Sequence, residues 1–473
     1  MPLNIKDMIP ESHICFLVEN FVDSLDFSKF DKEYLGAGAP AYHPRILMKI
    51  LVQGMISKER SSRRLARICR ENFVFVYLSE KVQPDFRTIC RFRKSNASFI
   101  KEALKQTLTV ASSNELLDLD TIFTDGTTIK ANANKKRSIK REAVDILDKA
   151  IDKMMEEDIR QDELDMELYG DTEEGLTNMD REDMKRIVRE YRKKNSDNVK
   201  KRLNEVKEEV KKSNVKKVSL TDPESRMMQN KSRVTELCYN AQFSVDKNQF
   251  ILAVDACQDG HDANQLVPQI EKVRKNVELK EGTKVALDCG YSSGENIKFL
   301  EDNGLEGYIP SRSQAQEFDG KRCTLNHDKY EYDWEEDELI VGGARFSFRK
   351  SYTRKDGRKI ITYYSKELKR KKDVPLYFRE RLRMRDKMKL VESKRIYRLR
   401  GETVESVIGN AKHNLGFREF LLRGLEGVNI ELSILGIAHN LGKIWRMSGV
   451  KGRVSMDVRR ILYNLEFRRC FLA

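Results

Sequence analysis

Apolar side chains recur every three or four positions through the first hundred residues, a period typical of amphipathic helices. Pro44 stands at a plausible first helical position. The stripe that follows it consists of Ile46, Leu47, Ile50, Leu51, Met55 and Ile56. After Ser61 and Ser62, which are good N-cap residues, apolar positions alternate with arginines. We therefore predict a helical N-terminal domain over residues 1–112.

From residue 113 onward the pattern changes to short apolar runs separated by turn residues. Two helical patterns, near residues 262–273 and 294–303, lie between these runs. Such alternation predicts a mixed α/β sheet covered by helices. The predicted strands cover residues 118–133, 237–246, 249–255, 284–288 and 307–309.

Two insertions interrupt this core. The first, residues 135–225, carries two heptad-like seams on either side of an acidic stretch from Glu156 to Asp183. The seams are Ala143, Leu147, Ala150 and Met154, and Val199, Leu203, Val206 and Val210. They predict two coiled-coil-like helices that either fold back as a hairpin or pair with another subunit. In the second insertion, residues 311–395, short β-like runs alternate with basic residues, a pattern that predicts a basic β-rich subdomain.

A chain of 473 residues exceeds what one hydrophobic core usually organises, so several domains are expected. The predicted fold class is α+β, with the helical N-terminal domain followed by a mixed α/β core that the two insertions interrupt. The core is assigned to residues 113–134, 226–310 and 396–445, and a C-terminal tail to residues 446–473.

Positive charge is concentrated in one segment. Between Arg349 and Arg400 there are 21 Lys and Arg against 6 Asp and Glu, a local charge of +15 in a chain whose net charge is +14. Such a field attracts a polyanion through phosphate contacts, which makes nucleic acid the expected partner. A solvated basic surface is the alternative interpretation.

Cysteine usage and hydropathy exclude several classes of protein. The eight cysteines are scattered without a CxxC pair, which argues against a zinc ribbon and fits reduced intracellular thiols. Met1 to Glu19 has no long apolar core, so no signal peptide is expected. No apolar run reaches about 18 residues, so no membrane span is expected.

Three acidic residues are the candidates for chemistry. Asp125 and Asp288 each follow an apolar run that reads as a buried strand, a position from which a carboxylate reaches the sheet edge. Asp125-Gly126 alone is more typical of a turn. Glu405 is the third. Three converging carboxylates are suited to two divalent cations about 3.5–4 Å apart, the arrangement used in phosphoryl transfer.

Glu405 is predicted to lie on a helix. Val404, Ile408, Ala411 and Leu415 form a core-facing stripe, and Glu405, Gly409 and Lys412 lie on the adjacent one. The carboxylate and the ammonium therefore share one side of the helix. Glu402 is the alternative candidate to Glu405. The residue seven positions after Glu402, where a lysine corresponding to Lys412 would be expected, is Gly409.

A second acidic group follows the predicted strand at 249–255. It consists of Asp255, Asp259, His261 and Asp262, and a metal ion is conceivable there. Because no paired helical spacing accompanies these residues, strand-end and loop roles are the preferred interpretation.

Several motifs together resemble the bacterial insertion-sequence transposases of the DDE superfamily, whose catalytic core is ribonuclease-H-like. The matching stretches are Tyr42-His43-Pro44, Pro84-Asp85-Phe86-Arg87, Phe92-Arg93, the strand of Asp125, Tyr239-Asn240-Ala241-Gln242, Leu287-Asp288-Cys289-Gly290-Tyr291 and residues 404–440. A Tyr-Arg-Glu-Lys signature of these enzymes is similar to Tyr397, Arg400, Glu405 and Lys412. Four residues separate Arg400 from Glu405 here, where the family has three.

The resemblance implies that Asp125, Asp288 and Glu405 hold two Mg²⁺ or Mn²⁺ ions and carry the catalysis. It further implies that Lys412 grips a phosphate near the transposon end, with Arg400 and Tyr397 also on DNA. The N-terminal domain would be either a helix-turn-helix-like DNA reader or a dimerisation domain. Its candidate DNA contacts are Arg63, Arg64 and Arg93.

The expected function is that of a DNA transposase, which cleaves at transposon ends and transfers the strand into target DNA. The alternatives are a metal-dependent nuclease without joining activity and a catalytically inactive DNA-binding element protein. Expected partners are the terminal inverted repeats, target DNA and further copies of the chain in a homodimer or larger assembly. A cytoplasmic bacterial location is expected, on the nucleoid when the protein is bound to DNA.

Overall fold

In a computed structural model, the protein is an α+β chain whose helical N-terminal part packs against a mixed β-sheet. The structure describes residues 4–33, 42–156, 196–213, 215–229, 233–318, 320, 330–355 and 357–450. Most of the acidic stretch from Glu156 to Asp183 and most of the tail predicted from residue 446 lie outside the described residues.

The described helices are α1 (Cys15–Asp23), α2 (Ser28–Glu33), α3 (Pro44–Ile56), α4 (Ser62–Glu71), α5 (Phe73–Leu78), α6 (Phe86–Ser95), α7 (Ala97–Ser113), α8 (Ala143–Glu156), α9 (Ser196–Lys212), α10 (Leu266–Asn276), α11 (Gly294–Asp302), α12 (Arg312–Phe318), α13 (Phe378–Lys387), α14 (Val391–Glu402), α15 (Val404–Gly409) and α16 (Gly424–Val450). A π-helical turn (Asn410–Asn414) follows α15.

The described strands are β1 (Thr121–Lys130), β2 (Ser138–Lys140), β3 (Lys217–Ser219), β4 (Arg226–Gln229), β5 (Thr235–Asp246), β6 (Ile251–Cys257), β7 (Lys284–Leu287), β8 (Glu306–Tyr308), β9 (Tyr330–Asp333), β10 (Glu338–Val341), β11 (Ala344–Thr353), β12 (Lys359–Ser365) and β13 (Arg370–Pro375).

Helices α1 to α7 form the N-terminal part around α3. Pro44 begins α3, where its fixed φ suits the first helical turn, and His43 caps it by accepting a hydrogen bond from the Arg45 amide. Almost every side chain of α3 is buried, including Lys49, whose ammonium pairs with Asp23 at 2.9 Å. A helix that is apolar nearly all round has to lie in the centre of a bundle.

The mixed sheet has the strand order β6–β5–β1–β7–β8, and β4 pairs with a second stretch of β5. Strands β6, β5 and β1 are antiparallel neighbours, whereas β1, β7 and β8 run parallel. Parallel neighbours need crossover connections, and α10 and α11 lie in those connections. This order is compatible with the ribonuclease-H-like core that the resemblance implies.

Helix α16 joins the sheet to the N-terminal helices. It packs against β6 on one side and against α7 and α3 on the other. Fully buried Asn440 donates its amide to Thr107 Oγ1 at 2.9 Å and to the Ile251 carbonyl at 3.1 Å, and it accepts from the Ile251 amide at 2.9 Å. One side chain thus connects α16, α7 and β6.

Helices α8 and α9 pack against each other within the one chain. Their contact is apolar and includes Val144, Leu147, Leu203 and Val206. The short β2–β3 ladder closes the base of this helical pair. Within the described residues, the two helices thus contact each other in one chain, and whether the segment also pairs with another subunit stays a prediction.

Residues 330–375 form a separate antiparallel sheet with the order β13–β12–β11–β10–β9. Its small core includes Leu339, Phe346, Tyr363 and Val374. Strand β11 is largely exposed beyond that core, and it carries Arg349 over the Tyr364 ring at 5.2 Å and Lys350 over Tyr352 at 5.5 Å. Basic and aromatic side chains thus meet on an open surface.

The predicted helical N-terminus and mixed-sheet core are confirmed. Among the helices of the described ranges, none combines the length and apolarity that crossing a membrane requires.

Asn440→Ala is expected to lower the free energy of unfolding by about 2–4 kcal/mol, because the Ile251 amide and the Thr107 hydroxyl lose a buried partner. Urea unfolding followed by circular dichroism measures the change. Glu426→Ala, an exposed position on the same helix, serves as the control and should stay within about 0.5 kcal/mol of the unmodified protein. Equal stability of the two variants would contradict a linking role for Asn440.

Candidate active site

Asp125 and Asp288 meet at one edge of the mixed sheet. The parallel ladder between β1 and β7 ends with the pair Thr124 and Leu287, so each aspartate is the next residue along its own strand. On the other side Asp125 still pairs with Phe243 of β5, which keeps its backbone extended. The chain turns away after Asp288, whose carboxylate accepts the Cys289 amide at 2.7 Å. Strand pairing therefore fixes both carboxylates at neighbouring positions.

The guanidinium of Arg400 lies between these two carboxylates. Its Nη2 is 3.1 Å from Asp125 Oδ2 and its Nη1 is 3.7 Å from Asp288 Oδ1. The side chain is only 5% exposed, compared with 15% for Asp125 and 40% for Asp288. A buried cation thus offsets the repulsion of two adjacent acids.

The electrostatics of the site are strongly perturbed. Burial raises the pKa of Asp125 to about 6; Arg400 opposes this rise, and the charges of Asp288, Asp262 and Glu405 add to it. Burial acts to lower the pKa of Arg400, but Asp125 and Asp288 outweigh it, so that this pKa is raised. The space between the two aspartates therefore favours a cation.

Glu405 lies in the first turn of α15 and is exposed. Its charge contributes to the raised pKa of both Asp125 and Arg400. Between α14 and α15 the helix breaks at Thr403, with φ −105° and ψ −94°. This break falls inside the interval that is one residue longer than in the transposase signature. The extra residue between Arg400 and Glu405 thus coincides with a break in the helix.

Lys412 contacts β1 just beyond Asp125. Its Nζ donates to Thr127 Oγ1 at 2.5 Å and to the Thr128 carbonyl at 3.1 Å. The lysine lies in the π-helical turn, a distortion that is frequent at functional sites. The Lys412 ammonium therefore lies against β1, two and three residues beyond Asp125.

Tyr397 also faces the acids. Its hydroxyl donates to Asp288 Oδ1 at 3.4 Å and accepts from Arg400 Nη1 at 3.3 Å. The Tyr-Arg part of the signature is thus directed at the carboxylates, whereas the resemblance placed it on DNA.

The predicted arginines of the N-terminal part differ in placement. Arg63 and Arg64 are exposed on α4, where Arg63 stacks over Phe86 at 5.1 Å and Arg64 pairs with Glu59 at 2.6 Å. Arg93 is 5% exposed and donates to the Arg60 carbonyl at 3.2 Å. Its guanidinium therefore faces the protein interior, and a DNA contact from Arg93 is not available in this conformation.

A further acid, Asp262, lies against Gly126, the residue that follows Asp125. Its Oδ1 accepts from the Asn240 amide at 2.8 Å and from the Gln242 amide at 2.7 Å. A Cβ at Gly126 would lie 2.4 Å from the same oxygen, so glycine is required there for close approach. Our sequence interpretation gave Asp262 a loop role. The signal it missed is the period-two spacing of Asn240 and Gln242, which puts both amides on one face of β5.

The donors present fit a divalent cation in type, because hard cations prefer carboxylate oxygens. Within the part of the chain that the structure describes, no three acidic, cysteine or histidine side chains are gathered to hold a metal ion. Arg400 instead lies between two of the acids, and its buried Nε has no hydrogen-bond partner in that region. One of the hydrogen-bond donors of the Arg400 guanidinium is thus left unsatisfied between the aspartates.

Comparison with known families connects this geometry to a class of proteins. A family model described as a transposase domain (DUF772) matches residues 3–95, and one described as a transposase DDE domain matches residues 215–441. The second match contains Asp288 and Glu405 but starts after Asp125, which reaches the site through strand pairing. No curated protein and no solved structure matches the chain.

Asp125→Asn is expected to stabilise the metal-free protein by about 1–3 kcal/mol at pH 7.5. The pKa of Asp125 is raised in the folded state from 3.8 to about 6, so its ionisation opposes folding. The cost of this ionisation to folding is therefore absent below about pH 4 and complete above about pH 6. Thermal unfolding in EDTA at pH 4 and at pH 7.5 measures this cost. Exposed Asp120→Asn is the control, and a gain that is equal at pH 4 and pH 7.5 would contradict the assignment.

Proposed function

The chain belongs to the DDE transposases of insertion sequences, and on this premise we propose that it cleaves DNA at transposon ends and joins them to target DNA. In the first step a water oxygen attacks phosphorus and the bond to the 3′ oxygen breaks, which releases a 3′-hydroxyl. In the second step that hydroxyl attacks a target phosphodiester; a new P–O bond forms and the target P–O bond breaks. No covalent intermediate with the protein is required.

One observation carries this proposal: a buried guanidinium lies between Asp125 and Asp288. It supports a site built for positive charge at the sheet edge. We assign Asp125, Asp288 and Glu405 as the residues that hold two Mg²⁺ or Mn²⁺ ions. Such ions, when bound, activate the attacking oxygen and stabilise the leaving one. Because Glu405 is exposed, its carboxylate is accessible to a DNA phosphate.

Arg400 then has two partners at different stages. In the structure it neutralises the aspartates; ions held by those carboxylates would compete with the guanidinium for the space between them. A guanidinium pairs as well with phosphate as with carboxylate. We propose that the displaced Arg400 binds a DNA phosphate close to the cut, with Tyr397 beside it. This reconciles its present contacts with the DNA role that the signature implies.

The remaining DNA contacts follow from exposure and charge. Lys412 stands over β1 and is assigned to a phosphate near the reacting one. Arg63 and Arg64 on α4 are assigned to sequence-independent contacts. The exposed basic face of β11 extends the same field. Bringing two transposon ends together calls for at least two copies of the chain.

Two other functions remain as outcomes of experiment. A nuclease that cannot join would cleave end-containing DNA but give no joined product when it is supplied with precut ends and a target plasmid. A DNA-binding protein without catalysis would shift the same DNA in a gel and leave it uncut with Mg²⁺. Joined product from precut ends supports the transposase.

Asp125→Asn, Asp288→Asn and Glu405→Gln are each expected to reduce cleavage by more than about 100-fold, because loss of an ion ligand exceeds the 10–100-fold effect of its supporting partners. DNA affinity, measured by gel shift, should remain within a few-fold of the unmodified protein. Glu402→Gln is the matched control, an exposed acid three residues before Glu405. Undiminished cleavage in any of the three variants would remove that residue from the site.

Arg400→Gln is expected to tighten Mn²⁺ binding about tenfold in the absence of DNA, since removing a competing charge at contact distance is worth on the order of 1 kcal/mol. Calorimetric titration of the metal-free protein measures it. Cleavage should fall in the same variant, because the phosphate partner is lost. Arg398→Gln, exposed on the same helix, should change neither property. Weaker Mn²⁺ binding by Arg400→Gln would overturn the displacement model.

A further inference from the structure

We propose that Gln249 and His439 are positioning residues for Glu405, because together they hold both ends of the helix that carries it. Helix α15 runs from Val404 to Gly409 and has six residues, too few to be stable without contacts to the rest of the protein. This role rests on the proposed function, in which Glu405 holds an ion. The two residues lie far from Glu405 in the sequence and outside the Tyr-Arg-Glu-Lys signature.

Apolar packing alone leaves the placement of α15 open. The helix packs against β1 and β5, and its buried side chains are those of Val404, Val407 and Ile408, whereas Glu405 is exposed. Apolar contacts have no preferred direction, so they permit a short helix to slide or turn. Directional hydrogen bonds are needed to fix where the Glu405 carboxylate points.

Gln249 holds the chain just before α15. Its side-chain Nε2 donates to the Glu402 carbonyl at 2.7 Å. Glu402 is the last residue of α14, where carbonyls lack partners within the helix, and the break at Thr403 follows directly. This hydrogen bond therefore fixes the point from which α15 starts.

The backbone of Gln249 indicates that its side chain is needed. Gln249 lies in the turn between β5 and β6 with φ +68°, in the left-handed region where glycine is the usual residue. A residue with a Cβ costs free energy there, and such outliers concentrate at functional positions. Lys443 of α16 donates to Gln249 Oε1 at 3.1 Å, which leaves the amide nitrogen for the Glu402 carbonyl.

His439 holds the chain just after α15 and bonds to the same turn. Its Nε2 lies 2.8 Å from the Gln249 carbonyl, and its Nδ1 lies 3.0 Å from Asn410 Nδ2. Because a carbonyl only accepts, Nε2 carries the proton, and the neutral ring accepts the Asn410 amide at Nδ1. Burial lowers the pKa of His439 to about 4, so the ring is neutral at pH 7. Since Asn410 opens the π-helical turn, both ends of α15 are tied to one turn of the sheet.

A merely structural role predicts a different result. If Gln249 and His439 only stabilised the turn, their loss would lower stability and leave ion binding by the folded protein unchanged. Gln249→Glu separates the two roles. The variant keeps the size of the side chain and an acceptor for Lys443, but its carboxylate cannot donate to the Glu402 carbonyl.

Asn248→Asp is the matched control. It adds the same charge one residue earlier in the same turn, where the Asn248 amide donates at 2.8 Å to the Leu116 carbonyl, in the segment after α7. Calorimetric titration of the full-length, DNA-free protein with Mn²⁺ at pH 7.5 measures the effect. Gln249→Glu should weaken Mn²⁺ binding about tenfold, an effect usual for groups that orient a ligand, and Asn248→Asp should bind Mn²⁺ normally. Equal loss in both variants would contradict the positioning role.

Coupling to Glu405 shows whether Gln249 acts through that residue. Glu405→Gln removes the carboxylate that Gln249 positions. Adding Gln249→Glu to this variant should therefore weaken Mn²⁺ binding by no more than about twofold. A further loss of about tenfold in the double variant, the full effect of the single change, would mean that Gln249 acts elsewhere and would overturn the proposal.

The outcomes separate this role from the proposed function. If Glu405→Gln weakens Mn²⁺ binding and Gln249→Glu does not, the positioning role fails and the proposed function stands. If the unmodified protein binds no Mn²⁺, or Glu405→Gln leaves binding unchanged, the proposed ion site fails and the positioning role fails with it. If Gln249→Glu does not fold, His439→Gln decides, because it keeps a donor for the Gln249 carbonyl and loses the ring nitrogen that faces Asn410. That variant should weaken Mn²⁺ binding about tenfold, and unchanged affinity overturns the proposal.

Discussion

Repulsion between carboxylates held side by side is the constraint on which this structure depends. Strand pairing holds Asp125 and Asp288 directly after the last residue pair of the β1–β7 ladder, and neither can move away without disturbing that ladder. Burial in a low-dielectric environment makes that proximity costly. The chain offsets it with one guanidinium, from Arg400, and everything near the site is arranged around that pairing.

The other charged and polar side chains near the two aspartates are carried by several separate elements. Helix α14 brings Arg400 and Tyr397, the break at Thr403 lets Glu405 restart a helix on the exposed side, and the π-helical turn carries Lys412 to β1. Both irregularities, the break at Thr403 and the π-helical turn, thus lie in the segment that carries Arg400, Glu405 and Lys412.

The fold around the site makes that geometry rigid. Helix α16 packs the sheet against the N-terminal helices, and Asn440 bonds three elements at once, so the strands carrying the acids rest on a large shared core. The helical pair and the basic five-stranded sheet each have a small core of their own. They extend the surface without contributing to the acidic edge. A rigid centre with charged extensions suits an enzyme that acts on a long polyanion.

The local pattern of the sequence was sufficient for the elements, because hydrophobic period, turn residues and helical spacing act over a few residues. It also singled out Asp125, Asp288, Glu405 and Lys412 as candidates, whose roles stay predictions. It was insufficient for Arg93, whose burial depends on packing against the segment before α4. Nor did it reveal the partners of Asp262, because the amides that donate to it lie about 20 residues away on β5. The direction of the Arg400 guanidinium was likewise decided only by tertiary structure, since β1, β7 and α14 meet only when the chain folds. Spacing along the chain determined which groups are present, and the pairing of distant strands determined which of them touch.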